Sequence, residues 1–240
     1  MDLRNDTIII TGGASGIGLE MAEQLSADGN TVIVTGRDQE RLRRLHQGHP
    51  QLRTYSVEVT DIASIRAFAA AVLRDFPSVN VLINNAGLMQ PISFRTAAAD
   101  GITDEIGVNL TGPVLVTQVF LPHLLEQEEA AIVNVTSGIA YFPFDKAPLY
   151  SASKLGLHSY TQSLRKQLQD TRVQVFELAP PRTSKPMFNG SEADNREVDR
   201  IPKMPVATVV AIMISRIRRN RTLILPGLSK VLRVLGKIRL

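Results

Sequence analysis

Thr7-Ile8-Ile9-Ile10-Thr11-Gly12-Gly13-Ala14-Ser15-Gly16-Ile17-Gly18 is the stretch that decides the fold of this 240-residue chain. Its first four residues are a β-branched run too short for a helix, the pattern of a buried parallel strand. The glycines permit a tight turn. Ile17, Met21, Ala22 and Leu25 then recur on one face of a helix. Strand, glycine turn and helix together let backbone N–H groups and the helix N-terminus receive a pyrophosphate. A glycine-rich turn with no ligand is the plainer alternative, and the flanking strand and helix favour a nucleotide site over it.

Outward from this stretch the alternation continues. Thr31–Thr35 reads as a second strand and Thr54–Val59 as a third, followed by a helix that Thr60 or Asp61 caps and that runs to about Phe76. Val79–Ile83 is a fourth strand, ending in the small residues Asn84-Asn85-Ala86-Gly87, which leave room for a flat ring. Two helices are expected next, Asp100 to about Leu110 and Pro113 to Glu128. Residues 130–136 are a strand, 150–170 a helix, Val173–Leu178 a strand and Thr222–Leu225 a last one. Strands alternating with helices imply an α/β fold, a doubly wound parallel sheet of about seven strands in one domain spanning 1–240. The second strand ends in Gly36-Arg37-Asp38, where an NAD site usually has an acid about 20 residues beyond the glycines. Arg37 can pair with a 2′-phosphate and no carboxylate at the strand tip opposes it, which favours NADP(H) over NAD(H). The alternative is a surface charge ahead of a helix with Asp38 as its N-cap.

Composition bounds the rest. A hydrophobic fraction of 44% and a charged fraction of 21% are those of an ordinary globule, and the absence of cysteine excludes disulfides and thiol catalysis. The N-terminus has no apolar signal-like segment, and Met204–Ile214 is shorter than the roughly 20 residues a bilayer span needs. A cytoplasmic location is expected. The net charge of +4 hides an asymmetry: residues 205–240 hold eight basic residues and no acid, whereas 1–204 hold 19 basic and 23 acidic ones. The four histidines are scattered without metal-ligand spacing, so no metal is expected, and no aromatics interleave the basic tail as nucleic-acid binding would require.

Tyr150 and Lys154 stand one helical turn apart, and a neighbouring ammonium favours the phenolate over its usual protonated form near pH ~10. A phenol tuned in this way exchanges a proton with an alcohol or ketone oxygen, and Ser137, at the end of the fifth strand, could hydrogen-bond the same oxygen. Taken alone, such a pair reads as a core tyrosine and a solvated lysine. The glycine turn and its order relative to this pair change that. Thr11-Gly12-x3-Gly16-x-Gly18, Asn84-Asn85-Ala86-Gly87, Asn109, Ser137 and Tyr150-x3-Lys154 resemble, in order and spacing, the short-chain dehydrogenase/reductase family, over Asp6 to about Pro181. The wording TGGASGIG, AAIVNVTSG, HSYTQSLRKQL and ELAPP is similar to the DltE-like oxidoreductase branch.

The resemblance implies a single-domain Rossmann fold and hydride transfer between a nicotinamide cofactor and a carbonyl or alcohol. It implies Tyr150 as acid/base and Ser137 as the group that positions the substrate oxygen. Lys154 would lower the tyrosine pKa and hold the nicotinamide ribose, and Asn109 would keep a proton-relay water in place. Gly12, Ser15, Gly16, Ile17, Gly18, Arg37, Glu58, Val59, Asn85, Ala86, Gly87, Pro180 and Thr183 would line the cofactor together with Tyr150 and Lys154. The partners implied are a small carbonyl or alcohol substrate and a second copy, in a homodimer or homotetramer built on the helices at 113–128 and 150–170.

Three positions, in two places, depart from the family pattern. Glu58 replaces the aspartate that meets the adenine, and Thr183 and Lys185 replace the aliphatic residue and threonine that hold the nicotinamide amide. The second departure motivates an alternative, a nucleotide-binding regulatory or interaction protein with weak turnover. The polar, proline-bounded stretch 184–205 is expected to be a substrate lid. In the tail, Leu228, Val231, Leu232, Leu235 and Ile238 share a helical face. The expectation is that this face docks on the domain or a neighbouring subunit, with membrane contact the less favoured outcome.

Overall fold

The computed structural model describes residues 1–90, 92, 94–95, 102–184 and 201–239. Seven parallel strands form one sheet: β1 (Thr7–Thr11), β2 (Thr31–Gly36), β3 (Arg53–Ser56), β4 (Val79–Asn84), β5 (Ala130–Val135), β6 (Val173–Leu178) and β7 (Leu223–Ile224). Their order is β3-β2-β1-β4-β5-β6-β7. The chain therefore begins mid-sheet, winds to one edge, returns to β4 and winds to the other. That reversal opens a crevice at the carboxyl ends of β1 and β4. The doubly wound Rossmann fold expected from the alternation is the fold observed.

Every residue of β1 is buried, because helices cover both faces. On one face lie α1 (Gly16–Ala27), α2 (Gln39–Gly48) and α7 (Val206–Arg218), joined to the sheet through Met21, Leu25, Leu42, Val210, Met213 and Ile217. The apolar run at Met204–Ile214 is thus largely a core helix. On the other face lie α3 (Ile62–Asp75), α5 (Gly112–Glu126) and α6 (Pro148–Gln167). Phe120 of α5 is fully buried, 5.6 Å from the Phe68 ring, a burial that stabilises by roughly 2–3 kcal/mol. Asp38 caps α2 by accepting from Arg41 N at 2.9 Å, and Asp61 rather than Thr60 caps α3, accepting from Ala63 N at 2.9 Å.

Two elements differ from the sequence expectation. β3 ends at Ser56 and does not continue to Val59, because Glu58 Oε1 accepts from Thr60 N (3.2 Å) and Thr60 Oγ1 (2.8 Å). This local turn competes with the strand ladder. The expected helix pair around residue 110 is one continuous helix over its described part: α4 (Ile102–Ile106), a π-helical turn Gly107–Thr111, then α5. Pro113 cannot donate to the Asn109 carbonyl as an α-helix would require, and the wider turn absorbs the proline without breaking the rod. Gly112 N accordingly donates five residues back, to Gly107 O. The stretch Asp104–Glu126 is long and apolar enough to cross a membrane, but Val116, Phe120 and Leu124 bury one side of it in the domain core.

A buried polar ladder crosses β4 and β5. Asn84 Nδ2 donates to Thr117 Oγ1 (3.0 Å) and Asn134 Oδ1 (2.8 Å), Asn134 Nδ2 donates to Thr161 Oγ1 (2.9 Å), and Thr161 Oγ1 donates to Leu157 O (2.6 Å). It ties α5 and α6 to the two strands that flank the crevice. Beyond β7 the chain forms α8 (Leu228–Arg239), which lies against the 3₁₀ turn Gly138–Tyr141.

Candidate active site

The glycine turn and the end of β4 are locked together. The Thr11 hydroxyl accepts from Asn85 N (3.0 Å) and Ala86 N (3.1 Å), while Asn85 Nδ2 donates to the carbonyls of Thr11 and Gly12, both at 3.0 Å. Gly12 has φ +64°, and a Cβ there would lie 2.7 Å from Ala86 Cα. A Cβ on Gly18 would lie 2.5 Å from Asn85 Nδ2 and 2.6 Å from Gly12 O. Gly18 therefore closes α1 onto the turn and does not line the cleft, a packing role where a cofactor contact was expected.

Above this junction runs a cleft of about 720 Å³. Gly12, Ser15, Gly16 and Ile17 line it at α1, Arg37, Glu58 and Val59 at the β2 and β3 ends, and Asn85, Ala86 and Gly87 after β4. Tyr150, Lys154, Pro180 and Thr183 line its other half. Lys185 lies outside the described residues, as does most of the stretch expected to be a lid. The two ends flanking that stretch are joined: Thr183 bridges to Met204, and Arg182 Nη1 donates to Ile201 O at 3.1 Å.

The cleft fits a dinucleotide. Ser15, at the N-cap of α1, makes no side-chain cap, and the first turn carries no acid, so those N–H groups face an anion without competition. Thr35 Oγ1, buried at the cleft wall, has no partner among the described residues. Arg41, which the sequence argument did not single out, lines the cleft beside Arg37. It lies in the first turn of α2, just beyond the β2 end, and the packing of α2 brings it to the cleft.

At the other end, Ser137 follows β5 and its hydroxyl accepts from Ile139 N at 3.3 Å. The same hydroxyl neighbours the Tyr150 phenol and favours its ionised form. Lys154 Nζ lies 5.8 Å from the Tyr150 ring centroid and donates to Val135 O at 2.9 Å. Burial pushes the Tyr150 phenol up to about 12, with the Ser137 hydroxyl opposing the rise and the Glu105 carboxylate adding to it. The expected lowering by Lys154 is not seen: desolvation disfavours the phenolate, and the ammonium stands over the ring. Lys154 itself is lowered to about 8 by burial, partly offset by Glu105.

Asn109 does not line the cleft. It is fully buried, with Oδ1 accepting from Leu88 N (2.9 Å) and Nδ2 donating to Leu88 O (2.8 Å) and Ser153 Oγ (3.2 Å). Its side chain holds the segment after β4. Glu105, also missed, is 1% exposed, and its Oε1 accepts from Gln90 N at 3.3 Å. Its charge raises both Tyr150 and Lys154. Glu105→Gln should therefore lower both pKa values and move the alkaline limb of a ketone-reduction pH profile to lower pH. An unmoved limb would show that Glu105 does not act on the pair.

A parallel sheet with an uncapped glycine turn at its switch point and a Ser–Tyr–Lys cluster across the cleft defines a nucleotide-binding oxidoreductase. The short chain dehydrogenase family profile matches residues 6–196. The uncharacterised oxidoreductase DltE of Bacillus subtilis (strain 168) is 44% identical over 183 residues, 75% of this chain and 73% of DltE. A short-chain dehydrogenase/reductase from Burkholderia phymatum in complex with NAD superposes with TM-score 0.86 at 25% identity, over 100% of this chain and 94% of its own. One from Burkholderia cenocepacia in complex with NADP superposes with TM-score 0.83 at 24% identity, over 99% and 94%. The chain belongs to the short-chain dehydrogenase/reductase family, as a DltE-like member, and is an NAD(P)-dependent oxidoreductase.

Proposed function

We propose that this protein interconverts a small carbonyl compound and its alcohol, with NADP(H) preferred over NAD(H) and Tyr150 as the acid/base. The observation that carries this reading is Tyr150 and Lys154 together at the cleft wall, with Lys154 Nζ 5.8 Å from the Tyr150 ring and donating to Val135 O, two residues before Ser137. A bound nicotinamide would supply or accept the hydride. Ser137 orients the substrate oxygen, Tyr150 gives or takes its proton, and Lys154 holds the ribose side of the cleft. Met89, Ile139 and Phe144 pack around Tyr150, which favours a substrate with an apolar flank. Titration with NADPH and NADH, followed by a screen of ketones and aldehydes, tests the proposal. Tight NADPH binding with no turnover on any carbonyl would favour the regulatory alternative instead.

Cofactor choice rests on Arg37 and Arg41. Asp38, the nearest acid, is turned toward α2, accepting from Arg41 N and standing 3.8 Å from Arg41 Nε. Two guanidiniums beyond the β2 end, with Asp38 engaged by the N-terminus of α2, suit a 2′-phosphate. The wild type should bind NADPH more tightly than NADH, and Arg37→Ala or Arg41→Ala should narrow the preference about tenfold by weakening NADPH, on the scale of one charge-assisted hydrogen bond. Equal affinities in the wild type would place both arginines in solvent.

We further propose a cytoplasmic homodimer or homotetramer. Leu125 at the end of α5 and Leu155 on α6 are 42% and 50% exposed, which supports an apolar contact between copies on these helices. A monomer in sedimentation velocity at micromolar concentration would remove this part of the proposal.

A further inference from the structure

Helix α8 is held by a narrow stripe. Ser229 is fully buried, and a Cβ on Gly138 would lie 2.7 Å from its Oγ and 3.3 Å from Leu232 Cδ1. Gly236, also buried, lies against the Tyr141 carbonyl. Ser229, Leu232 and Gly236 are spaced three and four apart, so one line of mostly small residues makes the attachment. The docking stripe takes in Leu232 of the apolar face that the sequence suggested, while Val231 and Leu235 of that face turn outward. The small side chains beside Leu232 let the helix axis approach the 138–141 turn closely.

Those outward residues are Val231, Val234 and Leu235, which are 50%, 57% and 45% exposed. Lys230 is exposed beside them, and residues 228–240 hold four basic residues and no acid. An ordered helix thus presents aliphatic side chains with cations alongside, on the side away from its attachment.

We propose that this outer face of α8 docks the protein reversibly on an anionic lipid bilayer. Two observations select that occupant over a second copy of the chain. The first is charge: residues 228–240 carry four basic residues and no acid, so a two-fold pairing of α8 with α8 sets like charges together, whereas anionic headgroups complement them. The second is area. Three half-exposed aliphatic side chains offer on the order of 200 Å², well below the ~800 Å² per partner of a stable protein interface. A bilayer needs no shaped counter-surface and accepts a short amphipathic helix with aliphatic residues at the acyl boundary and Lys or Arg at the headgroups. Because α8 is already folded against the domain, binding requires no helix formation. No Trp or Phe lies in 228–240, so the attachment is weak and salt-sensitive.

The test is co-sedimentation of the full chain with vesicles of phosphatidylcholine and phosphatidylglycerol, and with vesicles of phosphatidylcholine alone. The wild type should pellet with the anionic vesicles at low salt, and at least about tenfold less with neutral vesicles or at high salt. A Val231→Ser, Val234→Ser, Leu235→Ser triple variant should lose pelleting by about tenfold. Its circular dichroism and NADPH affinity should not change, since these side chains face away from the domain and the cleft. Wild type that stays in the supernatant with anionic vesicles at low salt would overturn the proposal, as would a triple variant that pellets like the wild type. A concentration-dependent dimer that the triple variant abolishes would assign the face to a second copy and also overturn it.

Discussion

Tyr150→Phe is expected to lower turnover by ~10² or more while leaving NADPH affinity close to that of the wild type. The phenol ring is 7% exposed and packs with Ala147, Met89, Ile139 and Phe144, and phenylalanine preserves that packing. Only the hydroxyl is lost, and with it the proton proposed to be transferred. The raised phenol pKa of about 12 sharpens the expectation. If Tyr150 is the acid of ketone reduction as proposed, a phenol that holds its proton this firmly should keep reduction flat with pH until the alkaline limb. Stopped-flow or steady-state assays of ketone reduction check it, together with a cofactor titration. Retained turnover in Tyr150→Phe would remove Tyr150 from the chemistry.

Lys154→Met is expected to abolish turnover by a similar factor and, in the absence of cofactor, to raise the melting temperature at pH 7. The Lys154 ammonium is 2% exposed and donates to Val135 O at 2.9 Å. Its pKa falls from 10.5 to about 8 chiefly through burial, which corresponds to roughly 3 kcal/mol of destabilisation when charged. Because the folded pKa is depressed, the unfolded chain binds more protons between pH 8 and 10.5, and the wild type gains stability as pH rises through that window. Below pH 8 both states are charged and the full cost is present. Methionine removes the cost and keeps most of the volume, so a rise of several degrees is expected at pH 7, shrinking as pH rises from about 8 to 10.5. An unchanged or lower melting temperature would show that the Val135 contact and Glu105 already offset the burial. The two effects together would mark Lys154 as a residue retained for function against stability.

Much of the fold was legible because β-branched runs alternate with helical periodicity, and strands buried on both faces leave an unambiguous signal at Thr7–Ile10 and Val79–Ile83. The π-helical turn was not legible, since Gly112-Pro113 carries the same signal as a helix break. The cleft residues fixed by short-range geometry, such as Gly12 and Asn85, were legible. Arg41 at the cleft and Glu105 acting on Tyr150 and Lys154 were not, because their role depends on how α2 and α4 pack. The tail shows the same limit. Periodicity located the helix, but which face docks depended on small residues meeting the 138–141 turn, and an apolar count cannot see that.

The polar ladder under the crevice acts as an index mark for the catalytic groups. Asn84 and Asn134 are paired across β4 and β5, and both are buried along with Thr117 and Thr161. An aliphatic sheet could slide by a residue or two at little loss of contact area. A slip here would bring an aliphatic neighbour opposite each asparagine and strand several buried donors, each costing about 1–3 kcal/mol. The same four side chains clamp α5 and α6, which lead back to Asn109 and carry Tyr150 and Lys154. One set of hydrogen bonds thus fixes both the phase of the strands and the angular setting of the helices, so Ser137 at the end of β5 meets Tyr150 on α6 in a single alignment.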